Sequence, residues 1–260
     1  IHPFDDENVI AGQGTIGLEI LNQIPDVDAV IVPVGGGGLI SGVAFAIKSL
    51  NPNVKVYGVQ ASGAPSMVQS LHDHKMECLP SVSTIADGIA VKEPGNLTFD
   101  ICSKYVDEVV TVTDDEISTA ILALIEQQKL IAEGAGAVSV AAAMFNKVDI
   151  KGKKVVCLVS GGNIDVTILS RVINRGLLKA GRSADFTIEL PDKPGQLQKV
   201  SSIIAGLGAN VVAVHHDHAG EDADITACYL RISVETRDHN HVETLKKELR
   251  KEGFQLREQL

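Results

Sequence analysis

The chain has 260 residues, of which 45% are hydrophobic and 3% aromatic, and it carries a formal net charge of −10. That length admits two domains of ordinary size. The acidic balance, with no polybasic run and few stacking side chains, argues against nucleic acid as a partner and for small molecules or other subunits. The four cysteines (Cys78, Cys102, Cys157, Cys228) show no CxxC spacing and read as reduced core thiols, which fits a cytoplasmic protein. No stretch reaches the ~18 apolar residues of a membrane span, and the start does not have the form of a signal peptide.

Ile1-His-Pro-Phe-Asp-Asp6 is loop-like and opens without Met, and an amphipathic element is under way by Ile10. We expect a further segment of the functional protein upstream. A helix with Ile16, Ile20 and Leu21 on one face follows, and Asp26 to Asp28 turns it into a branched apolar run, Val30 to Val34, that fits a strand buried on both faces. Gly35 to Gly38 end that strand. Ile40, Val43, Ala44 and Ile47 then fall at i, i+3, i+4 and i+7, the stripe of a helix lying on a sheet. Strand, glycine turn and helix gather bare backbone N–H groups and the positive end of a helix dipole, which suits a phosphate. The loop by itself leaves two readings open, a backbone phosphate site or a structural tight turn.

Spacing disfavours the two commoner phosphate loops. A dinucleotide fingerprint needs Gly at +2 and +5, but Gly35 has Ile40 at +5, Gly36 has Ser41, and Gly37 has Leu39 at +2. The next strand ends in neutral Gln60 where a ribose-binding acid would stand. A Walker loop needs Gly-Lys-Ser/Thr, and Gly42 is followed by Val43.

Further on, Val54 to Val59 reads as a buried strand, Ala64 to His72 and Gly95 to Cys102 as helices, and Val106 to Val112 as a strand. Thr113 to Glu116 forms a capping box before the stripe Ile117, Ala120, Ile121, Leu124 and Ile125. A helix from Gly134 to Asn146 and a buried strand from Lys154 to Val159 follow, and Ser160-Gly-Gly-Asn163 stands at the carboxyl end of that strand, where ligand sites of open α/β sheets gather. The composition shifts between Asn174 and Ser183, which reads as a linker. Beyond it the order βαββαβ, from Phe186 to Arg257, is a ferredoxin-like domain. His215, His216 and His218 with Asp217 look like metal ligands, but neighbours on a strand face opposite sides, so no metal is expected there.

Ile10-Ala-Gly-Gln-Gly-Thr-Ile16, Val34-Gly-Gly-Gly-Gly-Leu-Ile40, Ile85-Ala-Asp-Gly88, Glu133-Gly-Ala-Gly136 and Leu158-Val-Ser-Gly-Gly-Asn-Ile-Asp165 together resemble the threonine/serine ammonia-lyases and serine racemase, pyridoxal-phosphate enzymes of the second fold type. Leu190-Pro-Asp-Lys-Pro-Gly-Gln-Leu197 resembles an ACT domain, the amino-acid-sensing module of many threonine ammonia-lyases. The resemblance implies a three-layer, tryptophan synthase β-like α/β portion over 1–173, incomplete at its N-terminus, a linker over 174–183 and an ACT domain over 184–260. It implies pyridoxal 5′-phosphate as cofactor, held by Gly35, Gly36, Gly37, Gly38 and Leu39 at the phosphate, with Gly88 and Glu133 at its border and Ser160 at the pyridine nitrogen. A neutral hydroxyl there leaves the ring a weaker electron sink, suited to β-elimination. Glu133 is the one catalytic candidate, with capping of the next helix as its other reading.

The family's Schiff-base lysine sits in a Ser-Phe-Lys-Ile-Arg-Gly-Ala-like stretch that is not found here, so the chain alone is expected to be inactive. Gln60, Ala64 and Ser66 stand where serine racemases carry acidic cation ligands, which tilts the reading toward threonine conversion to 2-oxobutanoate and ammonia. A serine lyase or racemase is the alternative, and a non-catalytic amino-acid sensor the alternative of another class. The ACT segment is expected to bind a branched-chain amino acid, isoleucine foremost, at Pro194, Gly195, Gln196 and Leu197 with Asn210. The expected assembly is a homo-oligomer, dimer or tetramer, without membrane or nucleic acid.

Overall fold

The computed structural model describes residues 2–218 and 227–257, which form two compact units, Ile1–Ile173 and Asn174–Leu260. In the first unit Asp6 caps α1 (Glu7–Gln23), its side chain accepting from the Asn8 and Val9 N–H groups. Strand β1 (Ala29–Pro33) is buried at all five positions and leads through the glycine loop into α2 (Gly38–Leu50). There follow β2 (Lys55–Ala61), α3 (Ser66–His72), a 3-10 turn (Asp87–Ile89), α4 (Asn96–Tyr105) and β3 (Glu108–Val112). Helix α5 (Asp114–Ala123) starts at the capping box of Thr113 and Glu116 and runs into a π-helical turn (Leu124–Gln128). Then come α6 (Gly134–Met144), β4 (Val155–Cys157) and α7 (Val166–Lys179).

The four strands form one parallel sheet in the order β3-β2-β1-β4, with Ala29 opposite both Lys55 and Val155. The alternation of β1 explains why its apolar run is unbroken. Ala29 and Ile31 enter a core with Ile117, Ile121, Val138 and Ala141 of α5 and α6, while Val30 and Val32 enter a second core with Ile40, Val43 and Ile47 of α2. Each face of the strand therefore needs a hydrocarbon side chain, worth ~1.5–3 kcal/mol apiece when fully buried. On the second face α1 lies close against α2. A Cβ on Gly42 would collide with the Ile10 carbonyl, so the small residue sets the approach.

Two expectations are corrected. The strand expected over Lys154–Val159 as a buried element is three residues long and half-buried, because among the described residues β4 has a strand neighbour, β1, on one side only. The expected linker over 174–183 is helical as far as Lys179. Val172 and Gly176 are buried along the same face of α7, so the helix continues through the Arg-Gly-Leu-Leu composition that resembles a linker.

The second unit consists of β5 (Ser183–Pro191), α8 (Gln196–Gly206), β6 (Asn210–His218), β7 (Ala227–Glu235), α9 (His239–Lys251) and β8 (Gln255–Arg257). Its antiparallel sheet has the order β6-β7-β5-β8, the ferredoxin-like arrangement. Ala184, Phe186, Ile188 and Leu190 alternate inward from β5 and meet Val200 and Ile204 of α8 and Leu245 and Leu249 of α9. His241 is buried with both ring nitrogens engaged, Nδ1 accepting from the Arg237 N–H at 3.1 Å and Nε2 lying 3.0 Å from the Leu207 carbonyl. All four cysteines are free thiols, and burial pushes Cys102 up to about 12. Among the described residues no helix is long and apolar enough to cross a membrane.

Candidate active site

The Val34 N–H donates to the Val59 carbonyl at 2.8 Å, so sheet pairing holds the chain up to the edge of the glycine loop. Gly37, the N-cap of α2, has φ +100°, a left-handed conformation that L side chains rarely adopt. A helix leaves its first N–H groups without partners inside the helix. Among the described residues, the amides of Gly36, Gly37, Gly38 and Leu39 donate to no backbone carbonyl.

The loop is braced from α4. The buried Thr98 hydroxyl donates to the Gly36 carbonyl at 2.6 Å, and the Gly95 N–H donates to the same oxygen at 3.2 Å. Helix α4 has no side-chain cap of its own, since its N-cap is Gly95. Asp5 supplies one from a distance, accepting from the N–H groups of Asn96 (3.1 Å), Leu97 (2.9 Å) and Thr98 (3.2 Å). Phe4 lies against the loop, where a Cβ on Gly36 would collide with its ring.

A cavity of ≈ 570 Å³ opens beside this loop, and Gly35 to Leu39, Gly88, Glu133 and Ser160 all border it. Gly88 comes from the 3-10 turn and Ser160 from the exposed carboxyl end of β4. Glu133 precedes α6 in the N-cap position, yet its side chain makes no capping hydrogen bond. Its backbone N–H donates to the Gly161 carbonyl at 3.1 Å, and its carboxylate reaches toward Gly88, where a built Cβ would stand 3.5 Å from Oε1. The Glu133 side chain thus borders the cavity and does not cap α6.

Residues 1–161 match the family model of pyridoxal-phosphate dependent enzymes. The chain belongs to that family. Residues 185–254 match the ACT domain, which the second unit forms. Over 257 residues, 99% of this chain, it is 52% identical to an L-threonine ammonia-lyase of Thermotoga maritima and spans 64% of that relative's length. Among solved structures it is similar to the processed form of threonine deaminase isoform 2 from Solanum lycopersicum, at 44% identity and a TM-score of 0.65, covering 68% of this chain and 50% of that one. It is also similar to maize serine racemase, at 38% identity and a TM-score of 0.62, covering 69% and 56%.

The residues at the cavity fit the family's cofactor. Four loop amides without backbone acceptors, at the N-terminus of α2 and with no side chain between them, can take a phosphate dianion. Among the described residues that border the cavity there is no lysine. Gln60, Ala64 and Ser66 are all fully buried, and the Gln60 side chain is spent on its neighbours: Oε1 accepts from the Val68 N–H at 2.9 Å and Nε2 donates to Ser66 Oγ at 3.5 Å. This neutral set offers no anionic ligand to a cation.

In the ACT unit, Gly195 is the N-cap of α8 with φ +90° and open space where a Cβ would stand, and Gln196 and Leu197 begin the helix. Asn210 is not brought to this loop within the chain. It opens β6 beside Glu235, to which its amide donates at 3.0 Å, and Glu235 pairs with Ser183 at the start of β5, whereas Gly195 follows the end of β5. Phe4, Asp5 and Thr98 are site residues that the sequence reading did not single out. An Asp followed by a second Asp and a helix reads locally as a single capping signal, which Asp6 fulfils.

Proposed function

We propose that this chain carries the phosphate- and ring-binding part of a threonine ammonia-lyase, regulated through its ACT domain. The observation that supports it best is the convergence of Gly35–Leu39, Gly88, Glu133 and Ser160 on one cavity, and the substrate follows the Thermotoga maritima relative. When bound, pyridoxal phosphate supplies an electron-withdrawing ring that stabilises negative charge on the substrate carbon losing its proton. The amides of Gly36 to Leu39 and the dipole of α2 would hold the phosphate, with Thr98 and Gly95 keeping the loop in place through the Gly36 carbonyl. Ser160, at the cavity border, would offer the ring nitrogen a neutral hydroxyl, a hydrogen bond that fixes no proton on it. Glu133, a carboxylate at the cavity wall, is the candidate to take or return a proton. No lysine borders this cavity among the described residues, so this part of the site would hold the cofactor without a covalent bond of its own.

The ACT unit binds a branched-chain amino acid, isoleucine foremost, by its carboxylate at the first turn of α8, where Gly195 leaves the amides accessible. Pairing of such units in a dimer or tetramer would couple that site to catalysis through two quaternary states. The likeness to maize serine racemase supports a second reading, against which stands the neutral Gln60–Ser66 pair. The test joins this chain to the part of the Thermotoga maritima relative that it does not span, loads the folded chimera with pyridoxal phosphate and gives it L-threonine and L-serine separately. Release of 2-oxobutanoate from threonine is expected. Formation of D-serine without 2-oxobutanoate would replace this reading with the racemase.

A further inference from the structure

The histidine cluster of β6 is divided by the strand's own alternation. Asp217 faces away from the core and pairs with Arg231 at 3.6 Å. The His218 side chain lies outside the described residues. His216 stands opposite Leu230, on the face that Leu230 and Cys228 share, and its Nε2 lies 2.9 Å from Cys228 Sγ. The sheet order adds a third group. With β7 between β6 and β5, and Leu190 opposite Cys228, the chain leaving β5 carries Asp192 to the same end of the sheet. A carboxylate oxygen of Asp192, a ring nitrogen of His216 and the sulfur of Cys228 lie within 4.8 Å of one another.

We propose that Asp192, His216 and Cys228 form a binding site for a thiophilic divalent cation of the zinc class, at one end of the ACT sheet. Three observations converge on it. The donor set is one sulfur, one imidazole nitrogen and one carboxylate oxygen, the ligand types that zinc takes, with thiolate and carboxylate together balancing a 2+ charge. Around a tetrahedral zinc with bonds of ~2.0–2.3 Å, donor atoms stand about 3.3–3.6 Å apart, so closure asks only small side-chain movements. His216 and Cys228 stand on paired strands and Asp192 one residue past the end of β5, so the sheet brings the three to one end independently of the ion. A fourth position is left for water or another donor. This arrangement escapes the sequence because Asp192 and Cys228 lie far from the histidine run, whereas the eye is drawn to four neighbours that cannot converge.

The site belongs to the second unit and the cofactor cavity to the first, and the proposal does not depend on the proposed reaction. The test uses the 260-residue chain in a Cys78→Ser background, which removes the exposed thiol. Cobalt(II) is titrated as a spectroscopic probe and zinc(II) by calorimetry. One equivalent of cobalt should give a near-ultraviolet thiolate-to-metal charge-transfer band, displaced by zinc. Loss of an outer-shell partner alone weakens metal binding ~10–100-fold, so His216→Gln should weaken it by at least about 100-fold. Cys228→Ser should abolish the band, and because that residue is buried, the exposed positions His216→Gln and Asp192→Asn carry the test if the serine variant does not fold. A missing band, or one unchanged in His216→Gln and Asp192→Asn, would overturn the proposal and leave the His216–Cys228 contact without a role in metal binding.

Discussion

The Thr98 hydroxyl donates to the carbonyl oxygen of Gly36 at 2.6 Å, from a residue 62 positions along the chain. Through it the glycine loop is held to the first turn of α4, and through Asp5 that turn is held to the segment before α1.

Replacing Thr98 by Val keeps the shape and removes the hydroxyl. A hydrogen bond of this kind contributes ~0.5–1.5 kcal/mol net, so Thr98→Val should weaken pyridoxal phosphate binding by about 3–10-fold. Fluorescence titration of the chain with the cofactor measures it. Unchanged affinity would mean that the loop is rigid without this tie.

Gly42 sits where α1 and α2 touch, and a Cβ there would strike the Ile10 carbonyl. Backbone cannot rotate aside as a side chain does, so Gly42→Ala should destabilise the first unit by ~1–3 kcal/mol, the usual cost of overpacking. Urea unfolding compared with the wild type gives the difference. No shift in midpoint would show that the two helices can separate freely.

Burial tends to raise Asp107, but its contacts with Lys48 (2.6 Å) and Lys55 (2.8 Å) and the Val56 N–H outweigh it and hold the carboxyl below the usual carboxylate range. A group depressed on folding contributes stability that is present above its unfolded value, about pH 4, and lost as the pH falls through its folded value. Glu116, where burial is likewise outweighed by the contacts of Lys147 and Thr113, acts in the same sense. The thermal midpoint should therefore drop on acidification below about pH 4. Asp107→Asn should lower the midpoint at neutral pH and flatten this acid limb without abolishing it. An acid limb as steep as the wild type's would remove Asp107 from the account.

With no lysine at the cavity among the described residues, borohydride reduction of the 260-residue chain mixed with pyridoxal phosphate should leave no stoichiometric label on a single lysine. Peptide mapping decides it. One lysine labelled in full would place the covalent anchor within this chain.

At the ACT loop, calorimetric titration of the chain with isoleucine, valine and threonine should give heat from isoleucine first. Gly195→Asp, with φ +90° and a carboxylate facing the ligand's own, should suppress it. Heat from none of the three, or a response unchanged by the substitution, would make the unit an oligomerisation surface alone.

What was legible in the sequence was whatever repeats over a few residues. The branched run of β1, the stripe of α2 and the capping box of α5 each state their conformation locally, and the four glycines mark a tight turn, though not by themselves whether it holds a phosphate. The brace of that loop was not legible, because Asp5 meets Thr98 across 93 residues and Thr98 meets Gly36 across 62. Side chains that act on distant backbone leave no periodic trace. Composition also cannot distinguish an edge strand from a central one, so β4 looked like β1. The pairing of Asn210 with Gly195 failed for another reason: Gly195 caps the N-terminus of α8, whereas β6 starts beyond its C-terminus, a helix length away.

The parallel order β3-β2-β1-β4 also sets a timetable. Strand β1 finds β2 almost at once, with Ala29 opposite Lys55, but its other neighbour, Val155, is synthesised 126 residues later. Closing so long a loop is entropically costly and slow. Until then a fully apolar strand presents an open edge to any other chain nearby. On a ribosome the exposed interval is the time taken to make those residues, at ~5–20 per second some 6–25 seconds, and it is then that a chaperone would have most to protect.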